Sequence, residues 1–502
     1  MKEIANLARI VTLRRTRQRS LLDLDAARLG KEERLMQEIA VNPEITALQL
    51  TKSLYGANTV GNQAAMRQLR ARVQDKLLNH LFFLDHTDPR LVVSRRYEVE
   101  CLTLLHKATI LYLEGEYTLS ERLLRRCMRL AEQGNFTSYE EQAAQKLQAI
   151  YAEQRQPSKY DKMGEEIARL RQTISYEQEA ERISLDVRIG VEEAVAKRHE
   201  IMAKLPTLLA RLDELHSLAP TFTIFNARYQ VRLADAGLAG RYQDIIRETQ
   251  QATADLEAGI LNARRFDQRF NHFMNVYAHL RGRRPVEGLK LAEKFAETIH
   301  PTSSNWFYFY EHYLMLALHA GEYEQALHLL HMAHKNPSYG KLRPAALERW
   351  ELLEAYTELV LPTEQVPLRR RNQLAVFAAL TVPEYSRDKR GHNVAILIFQ
   401  LVHYLQQRLL DPVLVRIERL RKYQQRHLRD AATLRSRTFL RLLLLLPEAD
   451  FDPAKLAVRG KALLTTLRQA DLTREADSEV EIVPYENLWE LIMNILRQGT
   501  PE

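Results

Sequence analysis

Apolar residues recur along most of this chain at intervals of three and four, the spacing that lines one face of an α-helix. Near the amino terminus KEERLMQEIAVNP and EITALQLTKSLYG read as two short helices of this kind. NQAAMRQLRARVQDKLLNHLFFLD reads as a longer third, after the Gly-Ala-Asn-Thr-Val-Gly break. The stretch LPTEQVPLRRRNQ, carrying Pro362, Pro367 and Arg369 to Arg371, is the best break later in the chain. Beyond it, VAILIFQLVHYLQQRLL is nearly apolar throughout and predicts a helix buried on most sides, whereas VLVRIERLRKYQQRHLRDAATLRSRTFLRLLLLL predicts one long, basic amphipathic run. The end, PYENLWELIMNILRQ, starts with Pro484 at a first-turn position and places Leu488, Leu491, Ile492, Ile495 and Leu496 on one stripe, so it should dock as a terminal cap. The acidic READSEVE before it, residues 474–481, is expected to be a surface loop.

The middle of the chain repeats itself weakly. ATILYLEGEYTLSERLLRRCMRLA (Ala108 to Ala131) and ALHAGEYEQALHLLHMAH (Ala317 to His334) share Gly-Glu-Tyr between two amphipathic helices, and three residues after the Tyr comes a small residue, Ser120 or Ala326. LADAGLAGRYQDIIRETQQA puts Gly240 and Tyr242 in the same roles, and Gly282 stands one unit before Gly321. The steps from Gly240 to Gly282 and on to Gly321 are about 40 residues each. Such a unit is a helical hairpin: Gly ends the first helix in a left-handed cap, the Tyr packs across the turn, and the small residue lets the second helix approach closely. One hairpin cannot bury its own apolar stripe, so neighbours must stack. At these residues the chain resembles the tetratricopeptide (TPR) superfamily over roughly residues 95–360, although its period is longer and the early Trp of that family's unit is absent. The resemblance implies an all-α, TPR-like helical-hairpin solenoid. Three domains follow as an expectation: an amino-terminal helical module at 1–90, the repeats at 91–360, and a carboxy-terminal helical block at 361–502.

In the first of these, Ala47, Leu50 and Leu54 should face Met66, Leu69 and Val73 in a small core. That spacing resembles a tri-helical helix-turn-helix module. The resemblance implies that Arg67, Arg70, Arg72 and Lys76 lie along the helix that enters a major groove. A three-helix cap that shields the end of the solenoid is the alternative.

Composition sharpens the fold more than the function. With 502 residues the chain exceeds the roughly 250–300 beyond which one core stops growing, and only 17 Gly and 17 Pro leave little turn-forming residue for a sheet protein. A net charge of +8, from 72 basic and 64 acidic residues, gives no strong overall field. Cys101 and Cys127 lie on amphipathic helices and read as buried free thiols, which fits a reducing compartment. The start, MKEIANLARIVTLRRTRQRS, lacks the uninterrupted apolar core of a secretory signal, and the longest purely aliphatic run, Leu442 to Leu446, is far short of the 18 or so residues of a membrane span. A cytoplasmic protein without membrane contact is expected.

Candidate chemistry is sparse. Phosphate-cradling Gly-rich loops, Gly-x-Ser-x-Gly and His-Glu-x-x-His are all absent, so the expectation is a non-catalytic protein with no cofactor and no metal site. His328, His331 and His334 recur every three residues, yet a metal wants an enclosed and oriented set, and solvent-facing or partly packed histidines are the simpler reading. The basic run carries Arg416, Arg419, Arg421, Lys422, Arg426, Arg429, Arg435, Arg437 and Arg441 against Glu418 and Asp430. Three readings stay open for it: pairing with neighbouring helices while snorkelling over apolar surface, docking an acidic partner, or neutralising phosphates. The leading functional expectation is an interaction scaffold whose groove, lined by the first helix of each pair, receives an unidentified peptide or protein. Trp306, Phe307 and Tyr310 are its expected anchors, with Arg419, Lys422 and Arg426 as further contacts. The alternative is a transcriptional regulator holding nucleic acid through Arg67, Arg70, Arg72 and Lys76.

Overall fold

A computed structural model describes the backbone at residues 30–42, 45–84, 86, 88, 92–192, 195–361, 390–427, 434–470 and 481–498. Among these residues every regular element is a helix, so the chain is all-α. The predicted break at 362–371 and all of the predicted acidic loop except Glu481 lie outside the described residues. Contacts divide the chain into two compact units. One comprises residues 1–91, 95–131 and 139–164, and the other residues 92–94, 132–138 and 165–502.

In the first unit, α1 (Lys31–Val41), α2 (Ala47–Tyr55) and α3 (Val60–His80) form the expected three-helix module. Thr46 starts α2 with a capping box, its hydroxyl accepting from the Gln49 N–H at 3.3 Å while the Gln49 side chain accepts from the Thr46 N–H at 2.9 Å. Leu35, Leu50, Met66, Leu69 and Val73 close the core, with Leu54 packed on it. Ala47, expected inside, lies exposed one turn before Leu50. Each buried aliphatic side chain contributes about 2 kcal/mol relative to an exposed one, so this small core is held by a handful of residues. Next come α4 (Ser94–Leu113), α5 (Tyr117–Gly134), α6 (Thr137–Glu153) and the long α7 (Pro157–Glu192), which runs on into the second unit. Ser120 is fully buried and donates to the Ala108 carbonyl at 2.8 Å, which is the close approach of α5 to α4 that a small residue permits. Cys101 and Cys127 are buried free thiols on the same two helices.

The second unit continues with α8 (Val195–Leu218), α9 (Phe222–Leu238), α10 (Tyr242–Glu257), α11 (Gln268–Arg281), α12 (Pro285–Ala296), α13 (Ser304–Ala320), α14 (Tyr323–Lys335) and α15 (Pro344–Val360). Then follow α16 (Arg390–Gln406), α17 (Leu410–His427), α18 (Leu434–Glu448), α19 (Pro453–Gln469) and α20 (Tyr485–Arg497). One apolar cluster runs without a break from Val276 on α11 to Met493 on α20. The carboxy-terminal helices therefore share a core with those before residue 361, and Tyr356 donates across that point to the Ala395 carbonyl at 2.6 Å. As expected, α16 is buried on most sides and α20 docks through Leu488 and Ile492. The basic run, expected as one stretch, is two helices in its described parts. Since α17 and α18 pack against each other, they cannot be one continuous rod.

A single turn geometry recurs at six helix–helix joints among the described residues. Gly115, Arg155, Gly240, Arg283, Gly321 and Arg408 each take a left-handed φ between 51 and 81°, and the next helix begins two residues later. At each, its own N–H bonds the carbonyl three residues back while the following N–H reaches the carbonyl one residue before that, a Schellman cap. Gly282, expected to make such a cap, has φ −78°, and its neighbour Arg283 makes the turn instead. Five residues after the left-handed position the second helix is buried at Ser120, Ile245, Gly288, Ala326 and Val413, but not at Tyr160.

Candidate functional site

Within the second unit, α7, α9, α11 and α13, with Ile245 of α10, line an open cleft of about 550 Å³. Ser184, Val187, Arg188 and Val191 come from α7; Gln230, Val231, Ala234 and Leu238 come from α9. From α11 the positions Phe270, Phe273, Met274 and Tyr277 face it, and His312 of α13 completes the wall. The α11 contribution has a local cause. Residues 270, 273, 274 and 277 form one i, i+3, i+4, i+7 stripe, while Asn271, Asn275, Ala278 and His279 form a second, buried stripe on the same helix. The apolar stripe is covered only in part: Phe270 is exposed, while Phe273, Met274 and Tyr277 are half-buried and pack on the core with one side.

The buried stripe is held by a polar network behind the cleft. Tyr229 donates to Asn271 Oδ1 at 2.6 Å, Asn271 Nδ2 donates to the Thr249 carbonyl at 3.0 Å and to Thr253 Oγ1 at 2.9 Å, and Asn275 Nδ2 donates to Thr249 Oγ1 at 2.8 Å. Burial pushes the Tyr229 hydroxyl well above its ordinary pKa, so it remains a donor. These bonds fix α11 against α9 and α10 and set the angle of its outward rings.

His312 is the most informative polar group in the wall. Its ring stands edge-on to Phe273 and Tyr277, with centroids 5.0 and 5.9 Å away. Nδ1 lies 2.8 Å from the Tyr308 carbonyl, and because a carbonyl only accepts, Nδ1 carries the hydrogen. Burial holds the imidazole below its ordinary pKa, with the hydrogen bond to the Tyr308 carbonyl and the Glu311 carboxylate opposing and Arg281 and Arg349 reinforcing the shift. The ring is therefore neutral at pH 7, and Nε2 is a lone-pair acceptor with no partner among the described residues. Across the cleft, Ser184 donates to Gln230 Oε1 at 3.3 Å, which leaves the Gln230 amide nitrogen as a donor. No carboxylate lines the cleft among the described residues, and its one charged lining residue is Arg188. Such a wall can bind an apolar chain and orient it at a few polar points.

The residues expected as partner anchors lie elsewhere. Trp306, Phe307 and Tyr310 are 4, 3 and 5% exposed. Trp306 stacks on Tyr310 at 3.7 Å and Phe307 meets Trp350 edge-on at 6.3 Å, so all three fill the core and none offers a free face. Five consecutive aromatics must point in every direction round a helix, and the one that points outward is Tyr308, 50% exposed. In the basic run, Arg416 is buried over the Tyr404 ring and Arg421 pairs with Glu418 at 2.8 Å. Arg435 is buried between Glu481 and Glu486. Arg419 is half-buried and Lys422 exposed, while the Arg426 side chain, Arg429 and Asp430 lie outside the described residues. Snorkelling and pairing thus account for Arg416, Arg421 and Arg435. On α3, Arg67 and Arg70 are exposed, whereas Arg72 and Lys76 both pair with Glu32 of α1. His328 and His331 are exposed, and His334 packs edge-on to Tyr339 at 4.8 Å.

No protein-family model matches the chain, and no curated protein or solved structure matches it.

Proposed function

We propose that this chain is a non-catalytic interaction protein that receives a peptide or protein segment in the cleft between α7, α9, α11 and α13. The observation that carries this reading is the partly uncovered apolar stripe of Phe270, Phe273, Met274 and Tyr277, which lines one cleft with Val231, Ala234 and Leu238 of α9. The first helices of three successive hairpins, α9, α11 and α13, line the groove beside the long α7; TPR-like arrays present a preformed surface in this way, and preforming limits the ordering cost of binding. The buried free thiols Cys101 and Cys127 support a reducing, cytoplasmic setting. Random-peptide display against the intact protein tests this. Enriched peptides should lose binding to an Ala234→Phe variant that fills the cleft while its helical circular dichroism stays unchanged. Peptides that bind the filled variant equally well would place the interaction elsewhere.

A second reading, a nucleic-acid-binding regulator, is favoured by one observation: Arg67 and Arg70 stand exposed, one turn apart, on the third helix of a packed three-helix module. A mobility shift that weakens steeply with salt, and loses one to two counterions' worth of slope in Arg67→Ala/Arg70→Ala, supports it. Absence of any shift at low salt rejects it.

A further inference from the structure

The cleft is chemically lopsided, and that asymmetry specifies what fits. One wall carries Arg188 as the one charged side chain among its lining residues, and another is an aromatic corner of Phe273, Tyr277 and His312. The carboxylate adjoining that corner in sequence, Glu311 beside His312, accepts from Arg349 at 3.2 Å, so it adds no uncompensated negative charge there. A basic segment would face Arg188 with no carboxylate among the described lining residues to receive it. A purely aliphatic one would strip water from His312 Nε2 and leave that acceptor unpaired, which costs about 1–3 kcal/mol.

Resting on the reading above, we propose that the segment received is acidic and aromatic. A ring bearing an N–H or O–H enters the corner of Phe273, Tyr277 and His312 and donates to His312 Nε2, while a carboxylate elsewhere along the segment pairs with Arg188. The three rings supply edge-to-face contacts to the incoming ring. Arg188 supplies the planar fork that matches a carboxylate. Large rings with one polar handle bring much contact area for few rotatable bonds, which is why they anchor interfaces.

Three short peptides separate the parts of this proposal on the full-length protein: a tryptophan acid (one fluorotryptophan among aspartates), its uncharged amide (the same peptide with asparagines), and a phenylalanine acid (fluorophenylalanine among aspartates), each followed by fluorine NMR line broadening. The tryptophan acid should bind, and the amide and the phenylalanine acid should each bind about fivefold more weakly, one net hydrogen bond apiece. Arg188→Gln should erase the difference between acid and amide, and His312→Phe the difference between indole and phenyl. Equal binding of all three probes to the wild-type protein overturns the proposal, as does persistence of either difference in its matching variant. Should His312→Phe not fold, the wild-type ranking and the exposed Arg188→Gln variant still decide. Failure of this chemistry is distinct from failure of the broader reading. Display peptides that are basic or lack aromatic rings, yet are blocked by Ala234→Phe, keep the cleft as a peptide site and reject the acidic-aromatic segment. If no peptide of any composition is blocked, both ideas fall.

Discussion

Arg435 shows how one residue type hides two roles in the sequence. In the basic run it looks like any other arginine, yet it is 8% exposed, and its guanidinium donates to Glu481 at 3.0 and 2.6 Å, to Glu486 at 3.1 and 2.8 Å and to the Leu467 carbonyl at 2.6 Å. Replacing it with Met leaves two half-buried carboxylates with only the Arg283 pair on Glu486 to offset them, and the expected loss is about 3 kcal/mol in urea unfolding at pH 7. A loss below about 1 kcal/mol would mean the carboxylates find water or another cation. The same cluster sets an acid limit. Burial alone would raise the Glu486 carboxyl, but hydrogen bonds from Arg435 and its charge bring it down to about 2. A carboxyl lowered in the fold stabilises fully above its ordinary pKa of 4.5 and loses that contribution as pH falls towards 2. Unfolding free energy should therefore decline between pH 4.5 and 2, and Glu486→Gln should flatten part of that decline. An unchanged profile in Glu486→Gln would assign the acid sensitivity to other groups.

The helical hairpins are partly legible in the residue pattern alone. Gly115, Gly240 and Gly321 announce left-handed caps because glycine takes that conformation without strain. Arg155 and Arg408 make the same turn with no sequence signal, since the hydrogen bonds of the cap outweigh a strain of about 1 kcal/mol. Gly282 misleads for a related reason: a Cβ there would meet the Ala278 carbonyl oxygen at 2.7 Å, so its smallness serves the helix end while Arg283 turns the chain. Gly288 is small for yet another purpose, because its missing Cβ would lie 2.6 Å from His279 Cβ and 2.8 Å from Leu316 Cδ2, where α12 presses on α11 and α13. Gly288→Ala should accordingly cost more than Gly321→Ala, about 2–3 against about 1 kcal/mol, because the first clashes while the second meets open space and only a strained φ. Thermal melts of the two variants check this, and the reverse order would contradict the packing of α12.

Across the second unit, the long cluster from Val276 to Met493 explains why composition and periodicity indicate an all-α protein yet misplace its parts. Periodicity marks which face of a helix is apolar but not which neighbour covers it, so a boundary at residue 360 cannot be distinguished from a shared core. The cleft is hidden for the same reason. The stripe at 270, 273, 274 and 277 looks identical to a core stripe, and only the second, polar stripe of Asn271 and Asn275 hints that α11 has more faces to satisfy than partners. In the amino-terminal module, by contrast, Leu50, Leu54, Met66, Leu69 and Val73 are readable because three short helices have one possible shared face. Leu69→Ala should cost about 2–5 kcal/mol in that module's unfolding transition, and a smaller loss would mean its core is loosely packed.

If α7, α9, α11 and α13 form the receiving surface, a bound segment should slow amide hydrogen exchange on them and spare the helices behind. The decisive measurement is hydrogen–deuterium exchange of the full-length protein with and without a display-selected peptide. Protection is expected along the cleft-facing parts of α7, α9, α11 and α13 with α12 and α14 unchanged; protection centred on α12 and α14, or confined to the amino-terminal module, would contradict a cleft-binding protein.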